Sequence, residues 1–309
     1  MNHFHNILVG IDLGANVESL SGSLSPPNME AVERAMTLAE RTQAKLAFVS
    51  VLDAGDTTRR LIHDAKVNTS NVFDEAHALL SQFVERAAQR GITAEARVVM
   101  GKGWLKLIQE VLRHQHDLVV VGTRHESRVD RVLFGSTAMK LLRKCPCPVW
   151  VTKPSHGLPM SSVLVAHDLD AVGRHALDLG IGLAKAFDLQ LHVIHAIEQL
   201  PVGDPTGFGM TPPDAEAMHE EAHERIVVEL AGADLQREPA IRVMSGFPEP
   251  AIAHMIEEKS IDLLIMGTLG RAGIRGVITG NTAERLLPRL QCSMLAIKPD
   301  GFECPVDAD

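Results

Sequence analysis

The chain repeats itself. Asn6-Ile7-Leu8-Val9-Gly10-Ile11-Asp12-Leu13 matches Ser162-Val163-Leu164-Val165-Ala166-His167-Asp168-Leu169 at an offset of 156. From Leu38-Ala39 against Leu183-Ala184 the offset is 145, and it holds to the end. Leu46 pairs with Leu191, Gly101 with Gly246, Asp117 with Asp262, Gly122-Thr123 with Gly267-Thr268, and Lys153-Pro154 with Lys298-Pro299. The change of 11 residues places an insertion in the first copy, within the polar stretch Gly14–Asn28. A register kept this long is the mark of duplication. With 309 residues, it implies two domains of ordinary size, 1–154 and 155–309, joined by the short linker Pro154–Met160.

Each copy alternates strands with helices. Ile7–Ile11, Lys45–Leu52, Ala94–Met100, Leu118–Val121 and Val149–Thr152 are apolar, β-branched-rich runs of strand length. Val163–His167, Leu191–Ile197, Ile241–Met244, Leu263–Met266 and Met294–Ile297 repeat them in the second copy. Between the strands lie helical stretches such as Asn71–Gln89, with Val72, Ala76, Leu79, Leu80, Phe83, Val84 and Ala87 at helical spacing. Runs that are continuously apolar predict burial on both faces, as in parallel sheets. The expected class is therefore α/β, with two doubly wound domains. Strand order does not follow from the pattern alone.

Composition narrows the function. The net charge of -9 and eleven aromatic residues (nine Phe, two Trp, no Tyr) disfavour nucleic-acid binding, which draws on Lys, Arg and stacking rings. No apolar run is long enough to span a bilayer. Four cysteines and the absence of a signal-peptide pattern predict a reduced, cytoplasmic protein. Residues 1–154 carry 19 Lys+Arg against 16 Asp+Glu, whereas residues 155–309 carry 11 against 23. Opposite signs favour association of the halves. The last ten residues, with Asp300, Glu303, Asp307 and Asp309, read as a frayed acidic tail.

The most informative stretch follows the strand ending at Met266. There Gly267-Thr-Leu-Gly270 is followed after nine residues by Gly280-Asn281-Thr282 and a helix expected over Thr282–Leu290. Glycines let backbone N–H groups approach an anion without a Cβ between them. A helix N-terminus adds free donors and partial positive charge. Physics alone leaves a surface loop that merely needs its glycines as the competing reading.

Gly267-x2-Gly270-x9-Gly280-polar resembles the nucleotide-binding motif of universal stress proteins. Two fused copies, with His167-Asp168-Leu169 before the first loop and Leu141-Leu142-Arg143-Lys144-Cys145-Pro146 closing the first copy, resemble the tandem, E-type members of Gram-negative bacteria. The resemblance covers essentially the whole chain. It implies flavodoxin-like domains (adenine nucleotide alpha hydrolase-like), each with a five-stranded parallel sheet of order 3-2-1-4-5, and a stress-response regulatory role. It also implies that Asp168 contacts the adenine–ribose end of ATP and that the backbone of Ala196 meets adenine. Gly267 and Gly270 would lie beside sugar and phosphates, with Gly280, Asn281 and Thr282 at the phosphate-binding helix start. The family usually carries Ser or Thr where this chain has Asn281, whose amide can also donate to phosphate. ATP with Mg²⁺ in the second domain is the expectation, and pairing of the two domains through their last strands is implied with it. A homodimer is left open. No Walker sequence occurs, and no general base or water-positioning group stands out, so any hydrolysis is expected to be slow.

The first copy keeps the spacing, Gly122-x2-His125-x9-Gly135-Ser136-Thr137, but His125 replaces the second glycine. Its β-carbon would crowd a phosphate and disfavour positive φ, although Arg124, Arg128 and Arg131 keep the loop cationic. Other motifs carry less. His219-Glu220-Glu221-Ala222-His223 formally matches a zincin sequence, but it lies on an acidic helix that reads as solvated. Cys145-Pro146-Cys147 has no second cysteine pair and reads as packing. A carrier of an apolar or acyl ligand is the second functional reading; an adenylating enzyme lacks motif support.

Overall fold

A computed structural model describes residues 4–13, 24–53, 69–123, 134–155, 157–198, 212–268 and 281–308. The chain divides into two compact units, Met1–Gly157 with Phe302–Asp309, and Leu158–Gly301. In the first unit β1 (Asn6–Ile11), α1 (Pro26–Thr42), β2 (Lys45–Leu52), α2 (Thr69–Gln89), β3 (Ala94–Met100), α3 (Gly103–His114), β4 (Leu118–Gly122), α4 (Ser136–Lys144) and β5 (Val149–Thr152) follow one another. The second repeats the order with β6 (Ser162–Ala166), α5 (Ala171–Phe187), β7 (Gln190–Ile197), α6 (Pro212–Leu230), β8 (Ala240–Ser245), α7 (Pro248–Glu258), β9 (Leu263–Gly267), α8 (Asn281–Leu286) and β10 (Ser293–Ile297).

Every strand pairing within a unit is parallel. The first sheet runs β3-β2-β1-β4-β5, and the second runs β8-β7-β6-β9-β10. Both are the order 3-2-1-4-5. The all-apolar strands are the central ones: Ile7, Leu8, Val9, Leu118, Val119, Val163, Leu164, Leu263 and Leu264 are fully buried. A side chain of that size contributes about 1.5–3 kcal/mol when buried, and helices on both faces make such burial possible. The outer strands β3 and β8 are only half-buried.

The duplication extends to backbone detail. Non-glycine residues at positive φ end the helices at Gln43 and Asp188, and again at Gln115 and Ser260, two pairs at the offset of 145. Asp117 accepts the N–H groups of His5 (2.6 Å) and Asn6 (3.1 Å). Asp262 accepts those of Ser161 (2.8 Å) and Ser162 (3.1 Å), and both serine hydroxyls. The repeated aspartate therefore fastens the start of each unit's first strand to its fourth.

Two expectations need correction. The helix expected over Thr282–Leu290 ends at Leu286 and continues as a 3₁₀ turn, Leu287–Arg289. Pro288 has no N–H to continue the α-helical ladder. The tail does not fray. It lies against the first unit, with Cys304 Sγ 3.4 Å from the Lys144 carbonyl and Gln109 Nε2 3.4 Å from that of Asp307.

Two buried histidines couple this fold to pH. Burial lowers the His116 pKa below 6.5, reinforced by Arg97 and His114 and opposed by the Asn6 backbone and Glu110. Burial also lowers that of His192, with Lys259 and Arg242 adding to the effect. Each native imidazole resists a proton that the unfolded chain accepts, so the unfolded state binds more protons below about pH 6.5. Stability is expected to be full above that pH and to fall as the pH drops through it. Urea midpoints at pH 7.5 and 5.5 should show a loss that is smaller in His116→Leu; equal losses in the two proteins would refute the assignment.

Candidate functional site

In the second unit β6 and β9 are neighbours, and the chain leaves them in opposite directions across the sheet. The crevice at their C-terminal ends is the topological switch point, where open α/β sheets take ligands. Asp168 follows β6, Ala196 lies near the end of β7, and Gly267 ends β9, so three expected site residues come from three adjacent strands. Asn281 opens α8 and Thr282 follows it. Gly270 and Gly280 lie outside the described residues.

Asp168 is tied to its own loop. Its Oδ1 accepts the N–H groups of Asp170 and Gly173, each at 3.1 Å. A Cβ on Gly173 would stand 2.4 Å from that oxygen and 2.9 Å from His167 Nδ1, so glycine is what lets helix and carboxylate meet. Asp170 caps α5 by accepting the Ala171 N–H. The carboxylate is thereby held in one orientation, as an acceptor.

His167, next to Asp168, is a buried strut. Its side chain is 0% exposed, with Nε2 2.9 Å from Glu229 Oε2. Nδ1 accepts the Leu169 N–H at 2.8 Å, so the ring proton sits on Nε2 and is donated to Glu229. This bond supports Leu169 at φ 59, a left-handed conformation unusual for a leucine. Arg225 Nη2 donates to the Leu169 carbonyl at 2.9 Å, and His195 Nδ1 donates to the His167 carbonyl at 2.8 Å. Two residues four apart on α6, Arg225 and Glu229, thus hold the loop that carries Asp168. Sequence reasoning missed this pair: helical spacing relates the two to each other, and nothing in the sequence relates either to His167 or Leu169.

Gly267 has a structural reason to be glycine: a Cβ there would meet Val172 Cγ1 at 2.6 Å. Thr268 and Lys298 were also missed. Both are buried; Lys298 Nζ donates to Thr268 Oγ1 at 2.8 Å, and that hydroxyl donates to the Ile297 carbonyl at 3.1 Å. Together they join the ends of β9 and β10.

The first unit makes its corresponding loop differently. Asn28 stands where the second has Gly173, and Asp12 where it has Asp168. There the asparagine side chain bonds the acid's backbone, Nδ2 to the Asp12 carbonyl at 2.5 Å and the Asp12 N–H to Oδ1 at 3.3 Å. A Cβ on Gly122 would meet the Pro27 carbonyl oxygen at 2.5 Å. Arg124, His125, Arg128 and Arg131 lie outside the described residues.

Among the other motifs, His219 Nε2 lies 2.8 Å from Ser245 Oγ, while His223 is exposed. Cys145 is buried, with its Sγ 3.6 Å from that of the half-buried Cys147. The hydrogen bond with the Cys145 thiol, and then burial, hold the Cys147 pKa well above its ordinary value. No group of three His, Cys, Asp or Glu among the described residues is placed to hold a metal. No described helix is long and apolar enough to cross a membrane.

These features define a duplicated, doubly wound α/β chain with a topological switch point in each half. A family model described as "Universal stress protein family" matches residues 3–153 and again 160–298. The chain belongs to the universal stress protein family, with two family domains in tandem. It is 29% identical to Universal stress protein E of Photorhabdus laumondii over 100% of this chain and 99% of that one. It is 28% identical to Universal stress protein E of Escherichia coli K12, covering 100% and 98%. Among solved structures, a putative universal stress protein from Pseudomonas aeruginosa superposes with a TM-score of 0.69 at 21% identity, covering 96% of this chain and 94% of the other. One from Archaeoglobus fulgidus gives 0.65 at 21% identity, covering 95% and 98%.

Proposed function

We propose that this chain is a cytoplasmic stress-response regulator that carries ATP in its second domain and acts through occupancy rather than turnover. The observation that supports this best is the meeting of Asp168, Ala196 and Gly267 at the ends of adjacent strands at the switch point, next in sequence to Gly270, Gly280, Asn281 and Thr282. The donor set suits the ligand: a fixed carboxylate for ribose, strand backbone for adenine, and glycine-loop and helix-start amides for phosphates. Mg²⁺ would travel with the triphosphate, held mainly by phosphate and water oxygens, because the acidic half offers an unfavourable field to a bare polyanion. Calorimetry with ATP tests this. Binding that weakens when Mg²⁺ is removed is expected; no adenine-nucleotide binding would refute the function, and Mg²⁺-independent binding would refute the metal's part.

The duplication also supports pairing of the two domains through β5 and β10, each the last strand of its copy. Such pairing would cover two edges that otherwise expose backbone donors. The amides of Val149–Thr152 and Met294–Ile297 are then expected to exchange slowly with deuterium, and fast exchange in either strand would contradict the pairing.

A further inference from the structure

The duplication supplies an internal comparison for Cys145 and Cys147. At the offset of 145, Cys147 corresponds to Cys292, whereas Cys145 corresponds to Leu290. Cys292 and Leu290 are both buried. The second unit thus shows what the fold asks of these two positions, one small and one larger apolar side chain. The first unit meets the second demand with a thiol, and it has Pro146 and Pro148 where the second has Gln291 and Ser293.

These changes bring two sulfurs into contact. Cys145 leaves α4 in an extended conformation, φ -69 and ψ 132, as a residue before proline does. Pro146 has its own φ fixed, and the chain bends over Pro146 and Cys147 before β5 starts at Val149. The two Sγ atoms stand 3.6 Å apart. Cys145 is buried and Cys147 half-buried, so the pair has a reachable member and a shielded one. A third thiol, Cys304, donates instead to the Lys144 carbonyl at 3.4 Å.

We propose that Cys145 and Cys147 form a reversible thiol–disulfide couple that is oxidised by low-molecular-weight disulfides. Cys147 attacks one sulfur of RS–SR as its thiolate. The new bond joins its Sγ to SR, and the departing RS⁻ takes up the proton that Cys147 gave. Cys145, 3.6 Å away, then attacks the Cys147 sulfur, and its proton goes to the second departing RS⁻. Two protein thiols are oxidised to one disulfide, and one RS–SR is reduced to two RSH. Where thiols are kept reduced, such a bond is transient and reports an oxidising load. The hydrogen bond with Cys145 that holds the Cys147 proton slows the first step, so the couple answers a sustained load rather than a brief one.

The test incubates the reduced full chain with bis(2-hydroxyethyl) disulfide at about pH 8. The reaction is quenched with acid, the remaining thiols are alkylated in denaturant, and the peptides are mapped by mass. Wild type is expected to give a peptide holding residues 145 and 147 that is unalkylated and lighter by two hydrogens. Dithiothreitol should restore both thiols. Cys145→Leu, which copies the second unit, should stop at a mixed disulfide on Cys147, and Cys145→Ala, which adds no volume, should do the same. Cys147→Ala should slow loss of the Cys145 thiol at least about tenfold, because the remaining sulfur is buried. Cys304→Ser should leave the bond between residues 145 and 147 unchanged. A mixed disulfide that persists on wild-type Cys147, a bond from either residue to Cys304, or unreacted thiols at both positions would overturn the proposal.

Discussion

Gly270→His is expected to weaken ATP binding to the full chain by at least about tenfold, because a β-carbon in the proposed phosphate loop would obstruct the backbone donors assigned to it. The substitution copies into the second domain the residue that the first has at His125. It leaves Asp168 and its struts, His167, Arg225 and Glu229, in place, so the loss would fall on the phosphate end. The unfolding midpoint is expected to be unchanged, since residue 270 follows the last residue of β9 and precedes the first of α8 in sequence. Unchanged affinity would remove the loop from the site while leaving the Asp168 side of the crevice intact.

Asp262→Ala is expected to lower stability by about 2–3 kcal/mol. One carboxylate there accepts two backbone N–H groups and two serine hydroxyls. Charge-assisted bonds contribute about 1.5–3 kcal/mol each, and water replaces part of them at exposed Ser161. Asp262→Asn, which keeps an acceptor, should lose roughly half as much. Asp117→Ala should behave similarly, because Asp117 makes the same connection to His5 and Asn6. Urea unfolding measures all three; a change in Asp262→Ala below about 0.5 kcal/mol, the range of ordinary surface substitutions, would show that the repeated acid is not a fastener.

Those two aspartates mark what was legible in sequence and what was not. Their repeat was plain at an offset of 145, but their role required knowing that the fourth strand lies beside the first. All ten strands were readable because apolar, β-branched runs of strand length have few other places to go, and the observed strands shift by at most one residue at an end. The order 3-2-1-4-5 came from resemblance rather than from pattern. The helix near residue 290 was drawn too long because its apolar spacing outweighed Pro288. The tail was misread because its acids suggested solvation, while the alternation of Phe302, Cys304, Val306 and Ala308 went unused. The assignment of Asp168, Ala196 and Gly267 to a binding site came from the resemblance; their places at strand ends were legible. Glu229 was not, because it acts on His167 from 62 residues away and no local periodicity marks a partner across a crossover. The exchange of roles between Asn28 and Gly173 was hidden for the same reason. It is a difference between the copies in how the acid loop is held, and it adds to the difference made by His125.

The central claim is that one of the two crevices, the second, carries ATP. Native mass spectrometry of the full-length protein titrated with ATP and Mg²⁺ tests it most directly. One nucleotide per chain is expected, lost in Gly270→His and retained when Gly135 and Ser136 of the first copy are replaced by alanine. Two nucleotides per chain, or one that survives Gly270→His and disappears with the first-copy substitutions, would contradict the account.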